Sequence, residues 1–244
     1  MQFLLFGGQA CIVYGGTEFS RDADIVVLAS AANLAALARA LRELDAEQIF
    51  FPPLEAGFLE RGHACHFRCR HPEAAGVRLD VMSVLRGCDP FPALWQRRVS
   101  IHIAQIGEVP LLALPDLVRS KKTQRDKDWA HIRRLAEVDY LTRRAEAAEG
   151  DILWWLAELR SPAYLIELAR ERPDLLPRVE SRPWLLRLSG ADEAAIEAAL
   201  ADEEARARAD DRAYWQPLRK ELEELRRARR TGQPEQDQEG SDRQ

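Results

Sequence analysis

The stretch "YGGTEFSRDADIVV", residues 14–27, decides how the chain is read. Two aspartates, Asp22 and Asp24, stand one alanine apart at the mouth of an apolar run, Ile25-Val26-Val27-Leu28. That run reads as a buried strand over residues 24–28. In a strand, positions i and i+2 point to one face, so both carboxylates are expected on one side and Ala23 on the other. Two carboxylates so close repel each other unless a cation lies between them or water solvates both. Hard cations such as Mg²⁺ take oxygen ligands, often one or two carboxylates together with substrate phosphates. An Asp-x-Asp pair also occurs at turns and helix caps, so its surroundings carry the argument.

Working outward, Phe3 to Phe6 is a short apolar strand that runs into Gly7-Gly8, and residues 9–14 read as a short helix. A Gly-Gly at such a junction exposes backbone N–H groups that suit phosphate. Ser30 is placed to cap a helix over residues 33–44, whose leucines at 34, 37, 41 and 44 form one face. Residues 63–70 and 77–83 read as strands joined by "HPEAAG". The second contains Asp80 between Leu79 and Val81, a charge that core packing does not explain. A further hairpin is expected over residues 102–106 and 109–112, turning at Gly107-Glu108. Pro115 then opens a helix containing "DLVRSKKTQ", and another follows through "DKDWAHIRRLAEV".

From about Asp151 strand signals stop. Short amphipathic helices are punctuated by prolines at 162, 173, 177 and 183. Residues 191–229, rich in Ala, Glu, Arg and Leu, read as one long helix or two stacked ones, with Pro217 the only interruption. The expected organisation is an α/β unit over residues 1–145, a helical region over 146–230 and a disordered tail over 231–244. The fold class is α/β (α+β), a mixed sheet flanked by helices and followed by an all-α C-terminal region.

Composition agrees with a globular protein: 244 residues, 46% hydrophobic and 31% charged. A net charge of -5 argues against a protein that coats polyanions. No apolar run reaches the ~18–20 residues that span a bilayer. The N-terminus lacks a signal peptide's basic region and long apolar region, so a cytoplasmic location is expected, with the four cysteines reduced. "GHACHFRCRH" does not have structural-zinc spacing, and Cys65, Phe67 and Cys69 alternate as a half-buried strand would. Arg125 and His131 are spaced like an Arg/His pair of some helical ribonucleases, a spacing that arises by chance in charged helices. Trp154, Trp155 and Trp184 read as packing residues, and the Arg226–Arg230 cluster as a solvated helix end.

Taken together, Gly7-Gly8, Asp22-Ala23-Asp24 and Asp80 resemble the pattern of the nucleotidyltransferase superfamily with the DNA polymerase β type of fold. The similarity is greatest to the bacterial branch related to abortive-infection toxin nucleotidyltransferases. A second block, "LPDLVRSKKTQRDKDWAHIRRL", resembles the helical segment that follows the core in that branch, with Lys122, Arg125, Lys127 and Asp128 in the matching places. The resemblance covers about residues 3–138. It implies a Mg²⁺-dependent transferase, in which Asp22, Asp24 and Asp80 hold two Mg²⁺ ions. Gly7, Gly8, Ser20, Lys122 and Arg125 would contact an NTP. The acceptor would be RNA, a protein or a small molecule, in a toxin–antitoxin setting, with the C-terminal helices free to dock a partner or a second copy. A non-catalytic module of the same fold is the alternative. Two departures stand out: Glu18 occupies a place where the branch often has arginine, and the chain opens almost directly on the first strand, where a helix usually precedes it, so that either the true start lies upstream or that helix is missing.

Overall fold

The computed structural model describes residues 1–187 and 193–232, with side chains described through residue 229. Its centre is a seven-stranded mixed sheet, β1 (Phe3–Phe6), β2 (Asp22–Val27), β3 (Ala46–Gln48), β4 (Cys65–Cys69), β5 (Arg78–Met82), β6 (Val99–Ile103) and β7 (Gly107–Leu111). The order across the sheet is β3-β4-β5-β2-β1-β7-β6. β2 is antiparallel to β1 and parallel to β5. The β2 run is apolar on both faces because both are covered. Val26 points into one core with Leu4, Phe6, Leu117, Trp129 and Ile132. Ile25 and Val27 point into the other with Leu37, Leu41, Phe67 and Val81. This period of two is what aims Asp22 and Asp24 together.

The helices of this half are α1 (Gly7–Val13), α2 (Ala31–Glu43), α3 (Ala56–Glu60), α4 (Phe91–Arg97), α5 (Leu114–Ser120) and α6 (Asp126–Arg143). The Ser30 hydroxyl caps α2 by accepting from the Asn33 N–H at 3.4 Å. Several boundaries correct the sequence reading. α1 begins at Gly7 rather than residue 9, because Gly7 turns the chain at φ +65° directly off β1. The hairpin turns through residues 104–106, with Gln105 at φ +70°, so Gly107 opens β7 instead of forming the turn. β3, α3 and α4 are short elements that the sequence pattern did not separate from loops.

The C-terminal half is helical among the described residues: α7 (Glu149–Glu158), α8 (Pro162–Glu171) and α9 (Glu193–Gly232), with short 3₁₀ turns between α8 and α9. Trp155, Leu156, Leu165 and Leu168 form its core with Ile196 and Leu200 of α9. Of the two possibilities read from the sequence, α9 is one helix, and Pro217 lies inside it. Of the expected disordered tail, residues 231–232 belong to the end of α9, and the rest lies outside the described residues. No helix among the described residues is long and apolar enough to cross a membrane.

Arg182 fixes α9 to this core. It is fully buried, donates to the Leu156 and Leu159 carbonyls at 3.0 and 2.8 Å, and pairs with Glu203 at 2.9 Å. It thereby satisfies carbonyls that the end of α7 would leave orphaned. Burial pushes the Glu203 carboxyl up, but Arg182 and then Arg160 outweigh it and hold it below the ordinary 4.5. Removing one partner of a buried pair strands the other, so Arg182→Ala should cost about 3–5 kcal/mol in urea unfolding. The Glu203 contribution is present above the ordinary value and lost as pH falls through the lowered one. Glu203→Gln should therefore flatten the acid limb of the stability–pH curve.

Candidate active site

A cleft of about 460 Å³ opens where β1, β2 and β5 meet the ends of α5 and α6. Asp22, Asp24 and Asp80 line it, together with Gly7, Gly8, Ser20 and Arg125. The register explains the gathering. Asp24 lies beside Phe6 on β1 and Asp80 on β5, and Asp80 lies beside His66 on β4. Four adjacent strands thus contribute a single row of residues across the sheet, with two carboxylates at its centre.

The two carboxylates differ in what neutralises them. Asp80 is bracketed by Arg78, which donates from Nε to Oδ1 at 2.8 Å and from Nη2 to Oδ2 at 2.9 Å. His66 Nδ1 lies 2.8 Å from the same Oδ1. Burial would raise the Asp80 carboxyl, but the hydrogen bonds from His66 and Arg78 prevail and hold it below the usual aspartate range. Asp24 has no ion pair among the described residues. Its Oδ2 accepts only a long hydrogen bond, 3.4 Å, from the Gly8 N–H. Burial, then the Asp80 charge, push its carboxyl up, and Gly8 and Lys121 only partly offset them. The Asp22 carboxylate likewise has no ion pair among the described residues, while the Asp22 carbonyl accepts from the Ser20 hydroxyl at 3.1 Å.

The glycines serve this packing. A Cβ on Gly7 would overlap the Asp24 carboxylate, and one on Gly8 would overlap the Ser20 hydroxyl. The Gly8 N–H, which the sequence suggested for phosphate, is directed at Asp24.

The cationic wall comes from the α5–α6 junction. Lys121 is buried and pairs with Asp128 at 3.3 Å; Arg125 reaches the same carboxylate at 2.7 Å. Burial would raise the Asp128 carboxyl, but Lys121, the Thr123 hydroxyl and Arg125 bring it below the usual range. Lys127 and Arg21 also line the cleft. Lys122 does not: α5 ends at Ser120, and the chain there turns Lys121 inward and Lys122 outward to Glu158 at 2.8 Å. His131, set aside with Arg125 as a chance pair, lines the same cleft as Arg125. Burial, then Lys121, hold its imidazole below the ordinary 6.5. Glu18 stands apart, exposed and paired with Arg134 at 3.1 Å.

A hard divalent cation suits the donors, because Asp22 and Asp24 offer carboxylate oxygens with no countercharge of their own. Among the described residues no three His, Cys, Asp or Glu side chains converge closely enough to hold a metal as they stand. The third carboxylate is already engaged, since Arg78 closes on both Asp80 oxygens. Asp22 and Asp24 therefore offer oxygens that suit a cation, whereas Asp80 is committed to Arg78 and His66 in this structure.

Gly7→Ala forces a Cβ into the Asp24 carboxylate at a left-handed φ, and should destabilise the fold by about 1–3 kcal/mol in urea unfolding, with Asp24→Gly recovering part of the loss. No protein-family model matches the chain, and no curated protein matches it either.

Proposed function

We propose that the protein is a Mg²⁺-dependent nucleotidyltransferase, with the nucleotidyltransferase fold, that moves a nucleoside monophosphate from an NTP to an acceptor hydroxyl. The observation that carries this reading is the row of Asp24 and Asp80 on neighbouring parallel strands, with Asp22 beside them, facing Lys121, Arg125 and Lys127 across one cleft. Excess carboxylate on one wall and cations on the other suit a metal-bound triphosphate.

Asp22 and Asp24 would hold the metal, which when bound neutralises phosphate charge and polarises the α-phosphate. Lys127 and Arg125 reach the triphosphate from the wall that the Lys121–Asp128 pair fixes, and Arg21 reaches it from the segment before β2. His131, kept neutral, remains a hydrogen-bonding group for the sugar or base. Arg78 holds Asp80 until substrate arrives, and its guanidinium then has phosphate oxygens as an alternative partner. Asp80 accepts the acceptor's hydroxyl proton as the new bond to phosphorus forms and pyrophosphate leaves.

A second reading is a module that binds a nucleotide and transfers nothing. The bidentate Arg78–Asp80 pair favours it, because it occupies the third carboxylate.

Calorimetry of NTP binding with and without Mg²⁺ tests both readings. Wild type should bind only with Mg²⁺, and Asp22→Asn/Asp24→Asn should not bind; absence of binding to all four NTPs would end the proposal. Release of pyrophosphate separates the transferase from the module. Removing one charged hydrogen bond to phosphate costs on the order of tenfold, so Lys127→Ala should weaken Mg–NTP by about that factor, and Lys122→Ala should leave it unaltered.

The metal-free protein offers an independent check. Asp24 carries a carboxyl raised above its ordinary 3.8, so its ionisation opposes folding, increasingly as pH rises from the ordinary to the raised value. Asp24→Asn should therefore unfold at higher urea than wild type at pH 7, with the gap closing toward pH 4, while Mg–NTP binding is lost.

A further inference from the structure

A second compartment, of about 310 Å³, adjoins the cleft. The two share Phe6, Asp24, Asp80, Ser120 and Arg125, so Asp24 and Asp80 stand between them. The far side of the second compartment is made by Met82 at the end of β5, by Leu85 and Arg86 just after it, and by Trp215 and Arg219 of α9. An in-line displacement needs the attacking and leaving oxygens on opposite sides of the phosphorus. With the triphosphate in the cleft, the second compartment is on the attacking side.

Its chemistry selects among acceptors. Asp211 is the carboxylate of its α9 wall and is 1% exposed. It is fully engaged, by Arg86 at 2.9 Å, by the Gln124 N–H at 3.0 Å and by the Trp215 indole N–H at 3.1 Å. That last bond and the edge-on Tyr214 ring, 5.2 Å away, fix the indole plane. Arg219, one turn further along α9, is exposed and has no ion pair among the described residues. The compartment therefore offers a fixed aromatic surface, an uncommitted cation and no free carboxylate beyond the catalytic ones. Polycationic acceptors gain little there. A planar ring bearing an anion gains from both groups, since bases stack on aromatic side chains and phosphates pair with arginine. The volume is at the small end of ligand pockets and accommodates one ring-and-sugar unit, not a folded protein segment.

We propose that this compartment is the acceptor site and that the acceptor is a nucleotide unit, its base on Trp215, its phosphate at Arg219 and a free ribose hydroxyl directed at Asp80. The proposal rests on the transferase reading of the adjoining cleft. The hydroxyl oxygen forms a bond to the α-phosphorus of the NTP, the bond from that phosphorus to the bridging oxygen breaks, and pyrophosphate departs with the electron pair. The hydroxyl proton passes to Asp80. The unit is either the terminal nucleotide of a strand or a free mononucleotide.

The test uses the full chain with a short fluorescein-labelled single-stranded RNA bearing a free 3′ hydroxyl, and with AMP, each in the presence of Mg–NTP. Trp215→Ala should weaken RNA binding by about tenfold or more, and Trp215→Phe should restore most of it. Arg219→Ala should weaken binding and make it less salt-dependent. Thermal midpoints confirm that each variant is folded, and the Trp215→Phe rescue keeps the test decisive if the alanine variant is not. Binding of RNA alone identifies a strand end as the acceptor, and binding of AMP identifies a mononucleotide. If Mg–NTP binds but neither RNA nor AMP does, or if Trp215→Ala binds RNA as wild type does, the acceptor proposal is overturned and the transferase reading stands. If Mg–NTP fails to bind while RNA binding still depends on Trp215, the transferase reading falls and with it the acceptor role.

Discussion

Two carboxylates placed side by side on parallel strands are the constraint around which this molecule is arranged. The β2–β5 register puts Asp24 next to Asp80, and nothing local to Asp24 neutralises it. The surrounding structure manages that repulsion. Arg78 and His66 take charge of Asp80, Gly7 and Gly8 give up side chains so that the backbone can approach Asp24 and Ser20, and Lys121 is buried with Asp128 nearby. Arrangements of this kind cost stability and persist where a site needs them.

The α/β half supplies the carboxylates but only part of the enclosure. α9 completes it by crossing from the helical core to the β4–β5 side of the sheet. Arg182 and Arg160 hold Glu203 at one end. Arg86 holds Asp211 in the middle, and Arg61 and His63 hold Glu221 further on. Gly62, with no side chain, leaves room for Tyr214. The helical region is thus a wall of the second compartment, which adjoins the cleft.

Much of this was readable from residues alone. The alternation through Asp22, Asp24 and the apolar run gave the strand and its carboxylate face, because a period of two is local information. Asp80 stood out as a charge in an apolar strand. The Ser30 cap and the α2 leucines were equally local. Lys121 was passed over for Lys122 because one residue at the end of α5 changes the direction of a side chain by about 100°, and the end of a helix is where sequence periodicity loses phase. His66 could not be found without strand register, which depends on contacts between distant segments, whereas Arg78, two residues before Asp80 on the same strand, shares its face by the same local period of two. Trp215 and Asp211 were hidden in a charged helix whose inner face is defined only by what it packs against.

That inner face also constrains how this chain can change. α9 is a single 40-residue helix, about 60 Å long, anchored by Glu203 before it reaches Asp211 and Trp215. Each residue added or removed between the anchor and the wall would rotate everything beyond it by about 100°. A one-residue deletion there would turn Asp211 away from Arg86 and take the indole out of the compartment, while leaving the contacts of Ile196 and Leu200 in the helical core intact. Length variation among descendants of this sequence is therefore filtered by angular phase along that segment, and steps that approximate whole turns are the ones that preserve the compartment.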